Sequence, residues 1–199
     1  MVTVKLYVEG AAQKNDLMRM RCRQAFSVFF ETAGITGRPR TVPCGGREDA
    51  YKLFKEAVRH AKPGDLPLLL VDSEDPVTAG HSNWQHLKRR DNWDRPGGAK
   101  DDQVFLMVQV MESWFLADRD ALRRYFGPAF SDTPFRAWPA LEAVPKLTVY
   151  DVLENATAGC QQPYKKGDVS FDILGLLDAT KVEAACPHAK ALLNRLRSL

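Results

Sequence analysis

The sequence predicts an α/β fold: a mostly parallel sheet flanked by helices, followed by a C-terminal helical extension. Three observations predict it. Short strand-like runs alternate with stretches of helical periodicity through residues 1–126. The run Leu66–Val71 is continuously apolar, as in a strand buried on both faces of a parallel sheet. The segments between the strand-like runs are long enough to carry crossover helices, which parallel pairing requires.

The elements follow in order. Val2–Val8 is rich in β-branched residues and alternates, so it reads as a strand, ended by Glu9-Gly10. From Asp16 to Ala33 the residues Met18, Cys22, Ala25, Phe26, Phe29, Phe30 and Ala33 recur at helical spacing, with Asn15 or Asp16 as cap and Gly34 just past the end. Arg40–Pro43 is a short strand, and Cys44-Gly45-Gly46 turns the chain. A helix over Glu48–Ala61 carries Ala50, Phe54, Ala57, Val58 and Ala61 on one face and stops at Pro63-Gly64. The apolar strand Leu66–Val71 ends in Asp72-Ser73-Glu74-Asp75. Ser82–Arg90 reads as a helix, Asp94–Asp102 as a Pro/Gly loop, and Val104–Val110 as a further strand. Glu112 ends that strand, and one helix is expected from there to about Tyr125. Residues 127–170 read as irregular, with one short helix near Thr148–Asn155, and Ser170–Leu199 as two helices. The expected organisation is an α/β core over 1–126, with 127–199 packed on the same domain.

The bulk numbers exclude more than they select. A chain of 199 residues with 45% hydrophobic content is long enough to bury a core without covalent staples. Its net charge of +3 permits nucleic-acid binding without arguing for it. Cys22, Cys44, Cys160 and Cys186 are far apart and form no CxxC pair. They read as reduced thiols, with a four-cysteine zinc site as the alternative. No apolar run is long enough to span a bilayer and no leader pattern opens the chain, so a cytoplasmic location is expected.

The chemistry-bearing residues are acids placed just past predicted strand ends: Glu9, then Asp72 with Glu74 and Asp75, then Glu112. Right-handed crossovers bring parallel strand ends to one edge, where open α/β sheets bind ligands. Crowded carboxylates repel one another, and a hard divalent cation relieves that cost. Mg²⁺, or Mn²⁺ in its place, suits such a set because it takes oxygen ligands and keeps waters for a phosphate. Any one of these acids alone reads as a helix cap or a solvated loop residue; three strands delivering acid to one edge argue for a site at Glu9, Asp72, Glu74 and Glu112.

Two segments carry a resemblance. Leu6-Tyr-Val-Glu9-Gly10 and Leu69-Leu-Val-Asp72-Ser-Glu74 resemble the two signature motifs of the Toprim domain shared by topoisomerases, primases and OLD-type nucleases. The family pattern has Asp-x-Asp where this chain has Asp-x-Glu, one methylene longer. Over nearly the whole chain, Pro43-Cys-Gly-Gly46, Val71-Asp-Ser-Glu74, Val108-Gln-Val-Met-Glu112-Ser-Trp-Phe-Leu-Ala-Asp118 and Tyr164-Lys-Lys-Gly167 are similar to a bacterial family of small RloB-like Toprim proteins. The Met-Glu-Ser-Trp-Phe-Leu-Ala-Asp stretch is the most specific of these segments. The resemblance implies a Toprim-like (Rossmann-like) fold and a metal-dependent nuclease cleaving DNA or RNA. It also implies an antiphage-defence or genome-maintenance setting with an AAA ATPase as partner. Glu9 is then ligand or general acid/base, Asp72, Glu74 and Glu112 hold metal, and Lys165 or Lys166 assists at the phosphate. Two other readings stand beside it: a non-catalytic effector or regulatory subunit of an ATPase, and a metal-dependent phosphatase acting on nucleotides.

Other residues carry weaker signals. Lys88, Arg89, Arg90 and Arg95, with Trp84 and Trp93 between them, form the densest basic and aromatic stretch, suited either to gripping a nucleic-acid backbone or to a helix with a solvated basic side. His81 and His86 lack the spacing of a helical zinc pair. Gly45-Gly46 before a helix reads as a tight turn, with a phosphate cradle as the alternative. Homo-oligomerisation is left open, and there is no nucleophile elbow or dinucleotide fingerprint.

Overall fold

The computed structural model describes residues 2–11, 15–167 and 169–199. Four strands form one sheet: β1 (Thr3–Val8), β2 (Arg40–Pro43), β3 (Asp65–Asp72) and β4 (Val104–Met107). Their order is β2-β1-β3-β4, and every neighbouring pair is parallel. Register places Val8 beside Leu70 and Asp72 beside Met107. The carboxyl ends of β1, β3 and β4 therefore lie along one edge.

The period of two along the strands sorts side chains to two faces. On one face Val4, Leu6, Val8, Leu68, Leu70, Phe105 and Met107 join the larger core. On the other, Leu69, Val71, Val104 and Leu106 meet Tyr51, Phe54, Trp84, Leu87 and Trp93. The second face is covered by α2 (Arg47–Arg59) and α3 (Asn83–Asp91). The first is covered by α1 (Asp16–Thr32), α4 (Arg119–Phe126), α5 (Lys146–Thr157), α6 (Ser170–Leu174), α7 (Ala179–Ala185) and α8 (Pro187–Arg197). Burying both faces of the sheet explains why β3 reads as an unbroken apolar run.

Capping fixes where the helices begin. Asn15 accepts from the Met18 amide at 3.0 Å and starts α1. Ser82 and Gln85 close a reciprocal capping box on α3. Residues 127–199 add their apolar side chains to the same core as α1: Val149, Leu153, Ile173, Val182, Leu192 and Leu193 are buried there, and α8 lies against β4.

Four local expectations are corrected. The strand over Val104–Val110 ends at Met107. The single helix expected from Glu112 to Tyr125 is two pieces: a 3₁₀ turn over Met111–Ala117, then α4, whose N-cap is Asp118 accepting from the Ala121 amide. Both helix types bring residues three apart together, so the apolar spacing of Trp114 to Leu122 does not distinguish them. The short helix near Thr148–Asn155 is the 12-residue α5. The two helices over Ser170–Leu199 are three, because Asp178 caps α7 and Pro187 opens α8.

Candidate functional site

Parallel topology builds the site. Glu9 follows β1, Asp72 ends β3 and Glu74 lies two residues beyond it. Each offers a carboxylate oxygen within 4.8 Å of the others. Gly10 makes room beside Glu9: its φ of +118° disfavours other residues, and a Cβ there would approach the Phe171 ring to 3.1 Å. Gly10 and Gly45 exchange backbone hydrogen bonds of 2.7 and 3.1 Å, which lock the β1 end to the β2 end. The Gly45 amide is thereby used within the fold, so the turn is not a free phosphate cradle.

Asp72 is 8% exposed. Its Oδ1 accepts from the Met111 amide at 2.8 Å, and no hydrogen bond reaches Oδ2 among the described residues. Glu9 Oε2 accepts from the Asp72 amide at 3.2 Å. Burial, then the charges of Glu9, Glu112 and Glu74, push the Asp72 carboxyl well above its ordinary range, against a smaller opposing pull from Lys166. Burial likewise raises Glu9 to about 7, although the Arg47 guanidinium and the Asp72 amide pull it down. Glu74 behaves differently. Burial would raise it, but Lys146 Nζ at 2.5 Å, together with the Arg47 and Arg90 charges, outweighs burial and holds it below the ordinary range.

Glu112 lies outside that close trio but lines the same cavity. This cavity of about 410 Å³ is walled by Glu9, Asp72, Glu112, Lys166, Ser170 and Phe171, among others. Glu112 is 3% exposed, and its Oε1 accepts from the Tyr164 and Ser170 hydroxyls, each at 3.0 Å. The cavity separates the two lysines considered from sequence. Lys166 lines it and sits 4.7 Å over the Tyr150 ring, whereas Lys165 is exposed and outside the lining.

The basic stretch disperses. Lys88 pairs with Asp94, Arg90 with Asp75 and Asp91, and Arg95 with Asp101. Arg89 is exposed and makes no ion pair among the described residues. Trp84 and Trp93 are buried, with indole N–H groups donating to the Lys100 carbonyl and to Glu48, so neither is a free stacking platform. His81 is exposed. His86 is fully buried against the Ser73 carbonyl at 2.9 Å, and burial lowers its pKa. The four cysteines are buried and unbridged.

Two residues that sequence reasoning passed over belong to the site. Arg47 begins α2 at the end of β2. Its guanidinium reaches Glu9, the Asp72 carbonyl and Asp91, and lies 5.1 Å over the Trp93 ring. Its place right after Gly45-Gly46, at the same sheet edge, was the available signal. Lys146, which pairs with Glu74, carried none, because 72 residues separate the partners.

Fold and site define a Rossmann-like α/β protein, with an all-parallel four-stranded sheet and a buried acidic group at its carboxyl edge. The chain belongs to the DUF4276 family, a domain of unknown function whose model matches residues 8–197. No curated protein and no solved structure matches it. Among the described residues no helix is long and apolar enough to cross a membrane.

Proposed function

We propose that this chain is a Mg²⁺- or Mn²⁺-dependent enzyme that cleaves phosphodiester bonds of DNA or RNA. The observation that carries the reading is Asp72: more than nine-tenths buried, beside Glu9, with one oxygen lacking a donor among the described residues and its ionisation opposed by three neighbouring acids. A buried carboxylate pair of this kind is stabilised by a cation. The donor set is all oxygen, which fits a hard divalent ion rather than zinc. Glu9 and Asp72 would hold it, with Glu74 and Glu112 at its sides. Bound there, such an ion supplies Lewis-acid activation of water and neutralises charge on a phosphate.

The chain's own residues supply the rest. Arg47 fixes Glu9 and the end of β3 in one frame. Lys166, on the cavity wall, is placed to bind a phosphate oxygen. The test is nicking of DNA and RNA with Mg²⁺ or Mn²⁺, with Glu9→Gln and Asp72→Asn expected to abolish it. Undiminished cleavage by both variants would remove this site from the mechanism. A cavity of about 410 Å³ also has the size of a small-ligand site, which favours nucleotide phosphatase activity as the second reading. Release of inorganic phosphate from nucleotides, with polynucleotides left intact, would select it.

A further inference from the structure

We infer that Lys146 takes the place of a second metal ion, so that the site holds a single divalent cation on Glu9 and Asp72 while Glu74 serves Lys146. The inference rests on the cation-site reading above and fixes its stoichiometry.

The ion pair is built in, not a chance surface contact. Lys146 Nζ lies 2.5 Å from Glu74 Oε2. Both partners hang from one buried residue. The Gln109 carbonyl accepts from the Glu74 amide at 2.7 Å, and the Gln109 side-chain oxygen accepts from the Lys146 amide at 3.2 Å. Gln109 is 3% exposed, so this frame is fixed by the core. Glu74 itself has a φ of +65°, unusual for a residue with a side chain.

Where two ions share a site they sit about 3.5–4 Å apart, clamped by carboxylates between them. An ammonium against Glu74 occupies the ligand a second ion would need and repels any ion close to it. Charge agrees. With an ion bound and all four carboxylates ionised, Glu9, Asp72, Glu74 and Glu112 would carry four negative charges, and Lys146 and Lys166 would offset two. Arg47 and Arg90 are matched by Asp91 and Asp75. Two negative charges remain, the complement of one divalent ion. With Glu74 held by Lys146 and Glu112 held by the Tyr164 and Ser170 hydroxyls, Glu9 and Asp72 are the neighbouring carboxylates left to the ion.

The test is Mn²⁺ titration of the full chain by calorimetry, with free ion counted by electron paramagnetic resonance. Wild type is expected to bind one ion per chain, and Lys146→Met two. Glu74→Gln is expected to keep one ion, and Asp72→Asn to lose it. Two ions in wild type, a single ion in Lys146→Met, or loss of the ion in folded Glu74→Gln would each overturn the inference while leaving a cation site in place. If Lys146→Met does not fold, the wild-type count and Glu74→Gln still decide. No Mn²⁺ binding by wild type would instead overturn the cation-site reading itself, and this inference with it.

Discussion

Two buried aspartates flank the same 3₁₀ turn, Met111–Ala117, and they are treated in opposite ways. Asp118, whose side chain is fully buried, accepts from the Ala121 amide, the Asp178 amide and Lys181 Nζ. Burial would raise its pKa, but the lysine and the two amides outweigh burial and hold it below the ordinary range. Asp72 has one amide and three acidic neighbours, and its pKa moves the other way. Asp118 ties α4 to the start of α7 and belongs to the architecture. Asp72 keeps an electrostatic cost that the protein alone does not relieve, as expected of a group that waits for a ligand.

The largest effect that could break this comparison is on stability. Asp118→Ala strands two amides, removes the cap of α4 and frees Lys181. It should cost about 3 kcal/mol in urea denaturation, somewhat less if the half-exposed lysine is resolvated. Asp72→Asn keeps an acceptor for the Met111 amide and deletes a repelled charge. It should be neutral or stabilise by about 1 kcal/mol. Equal losses at both positions would show that Asp72 is structural as well.

Metal should act on one aspartate only. An ion at one hundred times its Kd raises stability by about 2.7 kcal/mol. Mg²⁺ at that level should lift the melting temperature of wild type and of Asp118→Asn, and should leave Asp72→Asn and Glu9→Gln where they were. A full Mg²⁺ response in Asp72→Asn would place the ion elsewhere.

The pH dependence should split by sign. Asp118 has a lowered folded pKa, so its contribution is present above the unfolded carboxylate pKa of about 3.9 and is lost as pH falls through the folded value. Glu9 is raised to about 7, so the folded state holds its proton longer than the unfolded state does. Its contribution is therefore greatest below about 4.3 and declines as pH rises toward about 7. Metal-free wild type should lose stability over that upper window, and Glu9→Gln should flatten the slope. A profile unchanged by Glu9→Gln would contradict the assignment.

The sequence made much of this readable because strand ends and acids are local features. β1 and β3 could be read from their apolar runs, and Glu9 and Asp72 from their places directly after them. Glu112 was found by the same logic, although it lines the cavity without joining the close trio. What stayed hidden depends on packing between distant segments. Lys146 reaches Glu74 because α5 docks on the core and begins at Lys146, two residues before the helix expected from Thr148. Asp118 looked like one more residue inside a continuous helix, because a 3₁₀ turn and an α-helix share their three-residue spacing. The dispersal of Lys88, Arg90 and Arg95 into ion pairs depends on acids from Asp75 to Asp101 whose positions only the fold fixes.

The smallest expected effect separates two adjacent lysines. Lys165→Ala and Lys166→Ala are both exposed changes and should each alter stability by no more than about 0.5 kcal/mol. Their electrostatic reach differs. The Lys166 charge opposes the rise of the Asp72 and Glu9 pKa values, so it also opposes an incoming cation there. Removing it should tighten Mn²⁺ binding at pH 8 by a few-fold, about 1 kcal/mol or less, and high salt should shrink the gain. Lys165→Ala should leave the affinity unchanged. Tighter Mn²⁺ binding together with slower nicking in Lys166→Ala would mean that this lysine meets the phosphate rather than the ion. An equal response in both variants would reduce Lys166 to a general surface charge, and the acidic edge would then work without a basic partner on the cavity wall.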